Sequence, residues 1–178
     1  MNIIYPKVYE LKKYHDNRGY FFECFSENIG EDIGVDFKQD NSSFSRKGTV
    51  RGMHYQWDEP MGKLIQVIKG SIIDYFFDLR IGSPDFGIVQ KVHLSEFNNK
   101  CLWIPPYYAH GFEALEDSHI IYKCTSYYNS KGEGTISLID EDLGISFDTI
   151  RENMIVSERD INAISLKEYI KEPKFFIE

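Results

Sequence analysis

Cysteine is scarce in this chain: Cys24, Cys101 and Cys124 are the whole complement, an odd number with no Cys-x-x-Cys spacing. That argues against a disulfide framework, suits reduced thiols, and sets the expected location as cytoplasmic. Each of the three reads as a small buried hydrophobe. Positive charge is also short. Twenty Lys and Arg stand against 28 Asp and Glu, for a formal net charge of −8 and a pI near 5.2. Non-specific binding to nucleic acid or to an anionic membrane needs a basic field, so neither partner is expected. An anionic small ligand would need a local cluster of Arg and Lys. No apolar run is long enough to cross a bilayer, and Met1-Asn2-Ile3-Ile4-Tyr5-Pro6 lacks the basic-then-apolar layout of a signal peptide. Linkers, low-complexity tracts and internal repeats are missing too.

What remains fits one domain over residues 1–178, large enough to close a core without metal or disulfide help. Aromatic residues make up 15% of the chain, which tilts the reading toward pleated structure and toward stacking on flat ligands. Strand-like segments follow one another, punctuated by Gly, Pro and Asn. Gly19 to Phe25 reads as a strand after the turn-like Asp16-Asn17-Arg18. Lys63 to Ile68 and Ser71 to Leu79 read as a hairpin joined at Lys69-Gly70. Phe86 to Ser95 alternates, with Ile88, Val92 and Leu94 on one face, and Cys101 to Ile104 ends at Pro105-Pro106. His119 to Tyr128 is a further strand. Helical signals are confined mainly to the end, where Ser157-Glu158-Arg159-Asp160 and Ser165-Leu166-Lys167-Glu168 both have the spacing of a capping box. Many short strands with a short helical tail predict an antiparallel sandwich or barrel, with its mouth or interior as the ligand site.

Five histidines offer acid–base chemistry: His15, His54, His93, His110 and His119. His54 lies in Arg51-Gly52-Met53-His54-Tyr55-Gln56 and His110 in Tyr107-Tyr108-Ala109-His110-Gly111-Phe112. His93 and His119 lie in alternating strands without polar clustering and read as structural or exposed, and His15 falls in a turn. No His-x-His pair is present, so the spacing usual for a zinc or iron site is absent and no metal is expected. Among the cations, Arg51 precedes an apolar run, where a planar guanidinium can clamp a phosphate. Lys63 opens an apolar strand and is suited to a barrel rim. Tyr122 and Asp160 each have a bland reading, as an amphipathic strand residue and as the third residue of the box begun by Ser157.

In order along the chain, these segments resemble the dTDP-4-dehydrorhamnose 3,5-epimerase family of the cupin superfamily. The landmarks are Asp16-Asn17-Arg18-Gly19, Gln39-Asp40-Asn41, Arg51 to Gln56, Lys63-Leu64 and Asp78-Leu79-Arg80 with Gly82-Ser83-Pro84. They continue through Leu102-Trp103-Ile104-Pro105, Ala109-His110-Gly111-Phe112, Tyr122-Lys123-Cys124-Thr125 with Tyr127-Tyr128, and Ser157 to Asp160. The resemblance implies a mainly β, cupin-type antiparallel β-barrel, or jelly roll, with short C-terminal helical segments. It also implies an isomerase that inverts C3 and C5 of a dTDP-4-keto-6-deoxyhexose, in dTDP-rhamnose synthesis for lipopolysaccharide or capsule.

The same resemblance implies roles for single residues. His54 is the expected base, Asp160 the carboxylate that orients it, Tyr122 the acid on the opposite face of the sugar, and Lys63 the charge near the C4 oxygen. Arg18, Glu23, Gln39, Asn41, Arg51, Asp74, His110, Tyr127, Glu133 and Arg159 match substrate-binding positions. Arg51 points toward the diphosphate, Asp74 is placed to pair with His110, and some nucleotide contacts cross a homodimer interface by strand exchange. No cofactor is implied. The chemistry also makes sense without the family. A 4-ketone acidifies the hydrogens on C3 and C5, so epimerisation needs a base, a donor on the other face, and positive charge at the oxygen. Inversion of one centre on a related dTDP, CDP or GDP sugar is the near alternative. A metal-dependent cupin oxygenase or a non-catalytic sugar-binding cupin are the distant ones. Three departures bear on the sugar pocket: Pro106 where relatives have an acid, Tyr107 where they commonly have Gly, and Phe147-Asp148 in place of a Trp-Pro pair. Tyr122 and Tyr127 are an odd number apart, so a regular strand would face them oppositely. Both can enter one site only across a bulge or twist.

Overall fold

The computed structural model describes residues 5–177; residues 1–4, on which part of the leader-peptide reading rests, and 178 lie outside the described residues. Two antiparallel sheets face each other. The first runs, in spatial order, Lys7–Glu10 (β1), Lys100–Ile104 (β10), Lys63–Lys69 (β6), Ser118–Cys124 (β12) and Gln39–Ser45 (β4). The second runs Glu133–Thr135 (β13), Thr49–Gln56 (β5), Tyr108–Ala114 (β11), Ser71–Asp78 (β7) and Gln90–Ser95 (β9). Ile155–Val156 (β14) adds to β5 in parallel. Lys13–Asp16 (β2) and Gly19–Phe22 (β3) form a separate hairpin, and Phe175–Phe176 (β15) pairs in parallel with Arg80–Ile81 (β8). The helices are Glu27–Ile33 (α1), Glu158–Ile161 (α2) and Leu166–Lys171 (α3). This is the jelly roll that the sequence implied, built as two facing sheets and not as a ring closed by hydrogen bonds.

Alternation decides which side chains meet. Ile65, Val67, Ile72, Phe76, Leu102, Phe112 and Ile120 point between the sheets and fill the inner core. Their neighbours point outward and are covered in turn. Ile73, Tyr75 and Phe77 lie under Ile136, Leu138, Tyr169 and Phe175 of the C-terminal segments, while Leu64 and Trp103 lie under Ile33 and the rest of α1. With both faces covered, all eight residues of β7 are buried, and the strand reads as a continuous apolar run broken only by its acids and Ser71. One buried acid, Glu113, ties the C-terminal layer down. It accepts from the Tyr75 hydroxyl at 2.8 Å and from the amides of Asp148 and Thr149 at 3.0 and 3.1 Å.

Several sequence expectations need correction. Lys63 to Ile68 and Ser71 to Leu79 do not form a hairpin: β6 pairs with β10 and β12, β7 with β9 and β11. Gly70 instead carries the chain over the corner from one sheet to the other. It has φ +82°, and a Cβ there would lie 2.4 Å from the Asp117 carbonyl oxygen. A tight glycine turn between apolar strands signals either geometry, and only long-range pairing separates them. The strand expected from Phe86 begins at Gln90, leaving Ile88 exposed. The strand expected to reach Phe25 stops at Phe22, and that expected to reach Tyr128 stops at Cys124.

Candidate active site

The site begins with an irregularity in β5. Against β11, His110 pairs with His54 and Phe112 with Arg51, so two steps on one strand face three on the other. The extra residue is a bulge. It turns Arg51 and His54, an odd number apart, into the same cavity. Glycines allow the two strands to approach there. A Cβ on Gly111 would lie 2.3 Å from the Arg51 carbonyl oxygen, and one on Gly52 would lie 2.6 Å from Gly111 Cα.

Beside the bulge, β14 runs along β5 and delivers α2. Ser157 caps this helix, its hydroxyl accepting from the Asp160 amide at 3.2 Å. The reciprocal half of the expected capping box is not made, because the Asp160 carboxylate is committed elsewhere. Its Oδ1 lies 2.7 Å from His54 Nε2, and its Oδ2 accepts from the Gly52 amide at 3.4 Å. Burial pushes the Asp160 carboxyl up, but the hydrogen bond and charge of His54, with the Ser157 and Gly52 contacts, outweigh it. The group titrates below the ordinary carboxylate range.

Lys63 opens β6 on the opposite sheet. Its Nζ is 2.8 Å from His110 Nε2, and His110 Nδ1 is 3.5 Å from Asp74 Oδ2 on β7. Burial dominates all three, lowering Lys63, lowering His110 well below its usual value, and raising Asp74 well above its own. Tyr122, on β12 between Asn41 and Ile65, completes the set. Burial raises its phenol, and the Arg51 charge acts in the opposite direction.

Arg51, His54, Lys63, Asp74, His110 and Tyr122 thus line one cavity of about 180 Å³. A mouth of about 320 Å³ shares His54, Lys63 and Tyr122 and adds Gln39, Asn41 and Glu133. Arg159 is held at its edge, 2.9 Å from both Glu133 Oε2 and Thr135 Oγ1. A larger hollow of about 740 Å³ beside α1 has a mainly acidic and apolar lining with no imidazole or phenol. Among the described residues, no group of three or more His, Cys, Asp or Glu is placed to hold a metal ion.

Three expected site residues lie apart from this cavity within one chain. Arg18 is at the tip of the β2–β3 hairpin, bonded to Asp16, and Glu23 follows β3. Tyr127 is 63% exposed, because the strand that would carry it inward has already ended. Tyr128 stands in the mouth instead, its hydroxyl donating to Glu133 Oε2 at 2.9 Å. It lies beyond the end of β12, so strand parity gave no signal for it. Ser43 in the cavity and Met61 in the mouth carried no signal of that kind. Tyr107 does not enter the sugar cavity. Its ring packs edge-on against Phe175 at 5.2 Å and over the Arg80 guanidinium, in the outer layer.

Residues 3–168 match the family model described as dTDP-4-dehydrorhamnose 3,5-epimerase. A curated protein of that name from Methanothermobacter thermautotrophicus is 42% identical over 170 residues, covering 93% of this chain and 89% of that one. Among solved structures, the dTDP-6-deoxy-D-glucose-3,5-epimerase of Legionella pneumophila, in complex with dTDP-4-keto-L-rhamnose, superposes with a TM-score of 0.92. It is 37% identical and covers 99% of this chain and 98% of that one. A 3'-monoepimerase from Streptomyces bikiniensis, in complex with dTDP-quinovose, has a TM-score of 0.88 at 29% identity, covering 96% and 88%.

Proposed function

Since this chain belongs to the dTDP-4-dehydrorhamnose 3,5-epimerase family, we propose that its central cavity is where a dTDP-4-keto-6-deoxyhexose is inverted at C3 and C5. The chain is an isomerase of the dTDP-rhamnose pathway. The observation that carries the assignment of roles is the convergence of an oriented imidazole, a phenol and an ammonium on one cavity.

Each role follows from the chemistry of its group. Asp160 accepts from Nε2 of His54, which keeps that proton in place and leaves the Nδ1 lone pair as the base. His54 takes a proton from the carbon next to the ketone, and the electron pair moves onto the C4 oxygen as an enolate. Lys63 supplies positive charge where that negative charge develops. Tyr122, on the facing sheet, returns a proton to the carbon from the other side, and the ketone re-forms with the centre inverted. Solvent then takes the proton from His54 and reprotonates the Tyr122 phenolate, and the second centre is inverted by the same sequence. The raised phenol is no obstacle, since a carbon of an enolate is a stronger base than a phenolate. No metal or redox partner enters these steps. Arg51 faces the diphosphate, Gln39 and Asn41 contact the nucleotide, Glu133 and Arg159 are further binding positions paired with each other, and Tyr128 takes the place first given to Tyr127.

Turnover in deuterated water tests the reading. Deuterium is expected at both C3 and C5 of the product, read by proton NMR. Label at one carbon alone would support a single-centre epimerase, and no exchange with any 4-keto nucleotide sugar would remove the epimerase reading.

We also propose that the active form is a homodimer completed by the β2–β3 hairpin. An isolated two-stranded hairpin is marginal in water, yet this one exposes Tyr14, Tyr20 and Phe21 and carries Arg18 away from its own cavity. Packed on a second copy, it would bury that surface and bring Arg18 and Glu23 to the partner's nucleotide site. Mixing Arg18→Ala chains with His54→Ala chains is then expected to restore activity that neither has alone, since one site of the mixed dimer is intact. Absence of complementation after subunit exchange would count against the arrangement. Three unpaired thiols agree with a cytoplasmic location. No helix among the described residues is long and apolar enough to cross a membrane.

A further inference from the structure

The ammonium of Lys63 faces a difficulty that the site must solve. When a sugar fills a cavity of about 180 Å³, water leaves the ammonium, and desolvation favours the neutral amine. A neutral amine cannot stabilise an enolate by charge. Behind Lys63, away from the mouth, stands a line of two further groups, one contributed by each of two neighbouring strands of the facing sheet. His110 Nε2 is 2.8 Å from Lys63 Nζ, and His110 Nδ1 is 3.5 Å from a fully buried Asp74. Among the described residues, neither Asp74 oxygen nor His110 Nδ1 has a hydrogen-bond partner, and the two groups face each other across that 3.5 Å.

We propose that Asp74, acting through His110, is a positioning residue that keeps Lys63 protonated in the substrate-filled cavity. This rests on the role given to Lys63 above. Lys63 donates to Nε2 of a neutral His110, whose proton therefore sits on Nδ1 and points at the Asp74 carboxylate. The three groups share two protons, and the carboxylate offsets the ammonium through the ring. Such a relay titrates as a unit. Burial moves Asp74 and Lys63 toward each other's range, while their mutual attraction opposes it on both. The other charged or titratable groups acting on Lys63 and His110 are Cys124 on β12, Glu133 on β13, Arg159 on α2 and His54 on β5. None of them bonds to the His110 ring.

The sign is definite. An anion behind the imidazole raises the affinity of Lys63 for its proton, so removing it lets the ammonium deprotonate at lower pH. Asp74→Asn is expected to move the alkaline limb of the kcat–pH profile to lower pH by about one unit or more, with KM little changed. In His110→Gln, a further Asp74→Asn change is expected to move the limb no more, because the connection is already cut. A merely structural Asp74 would lower kcat or the melting temperature and leave the limb in place, and that result in a folded variant would overturn the proposal. The unmutated protein supplies a second reading. Its ¹⁵N resonances near pH 7 are expected to show His110 protonated on Nδ1 and bare on Nε2, and the opposite tautomer would also overturn it. If Lys63→Ala keeps full activity, the role of Lys63 itself fails. If Lys63 is essential but the limb stays in place in Asp74→Asn, only the relay fails.

Discussion

His54→Ala is expected to lower turnover about a hundred- to ten-thousand-fold, the range that a positioned acid–base group contributes. Binding of dTDP, measured by calorimetry, is expected to persist, because the His54 ring is committed to Asp160 and the groups assigned to the nucleotide are other side chains, Arg51 and the mouth residues. The variant carries a second signature. Asp160 titrates below its ordinary value in the folded protein partly because of His54. A group depressed in this way contributes stability that is present above its unfolded value, near 3.9, and is lost as pH falls through the folded value. Without the imidazole that contribution shrinks, so the variant is expected to lose stability relative to the parent at neutral pH. The gap narrows as acid protonates Asp160 in both. Unchanged turnover in His54→Ala would remove this residue as the base.

Lys63→Met is the second substitution with a large expected effect. Loss of one preorganised group at a developing oxyanion costs about a hundred- to a thousand-fold in kcat, and deuterium uptake at both C3 and C5 is expected to fall with it. Stability is expected to move little. Removing one partner of a buried pair ordinarily destabilises, but burial already holds Asp74 toward its protonated form, so the carboxyl can take up a proton when the ammonium is gone. Activity and melting temperature would then part company, which separates a residue kept for chemistry from one kept for the fold. A variant that loses both together would argue that Lys63 holds the sheets in place and does nothing specific to the sugar.

How much of this was legible in the sequence depends on the range of the interaction. The strands β6, β7, β10 and β12 were readable from their apolar patterning, while β11 and the true start of β9 were not, and the Ser165–Glu168 capping box forms in full. The Lys69-Gly70 junction misled because a corner between sheets and a hairpin share the same local chemistry. Tyr107 also misled, since its place beside His110 in the chain says nothing about direction. Its φ is positive at 76° and its ring packs on Phe175, so this bulky residue lies outside the cavity. Among the site residues, Arg51 and His54 share the cavity only through the bulge between them, which no local pattern announces. The pairing of Lys63 with His110 joins two sheets and has no local signature. Tyr128 lies beyond the end of β12, so no strand parity places it in the mouth.

The partner of the base comes from far along the chain, 106 residues after His54. Until β14 has docked beside β5, the imidazole has no neighbour to fix its orientation. A chain whose two sheets are assembled but whose α2 is undocked lacks both this carboxylate and Arg159 at the mouth. Turnover therefore depends on a C-terminal segment that the sheets themselves do not contain.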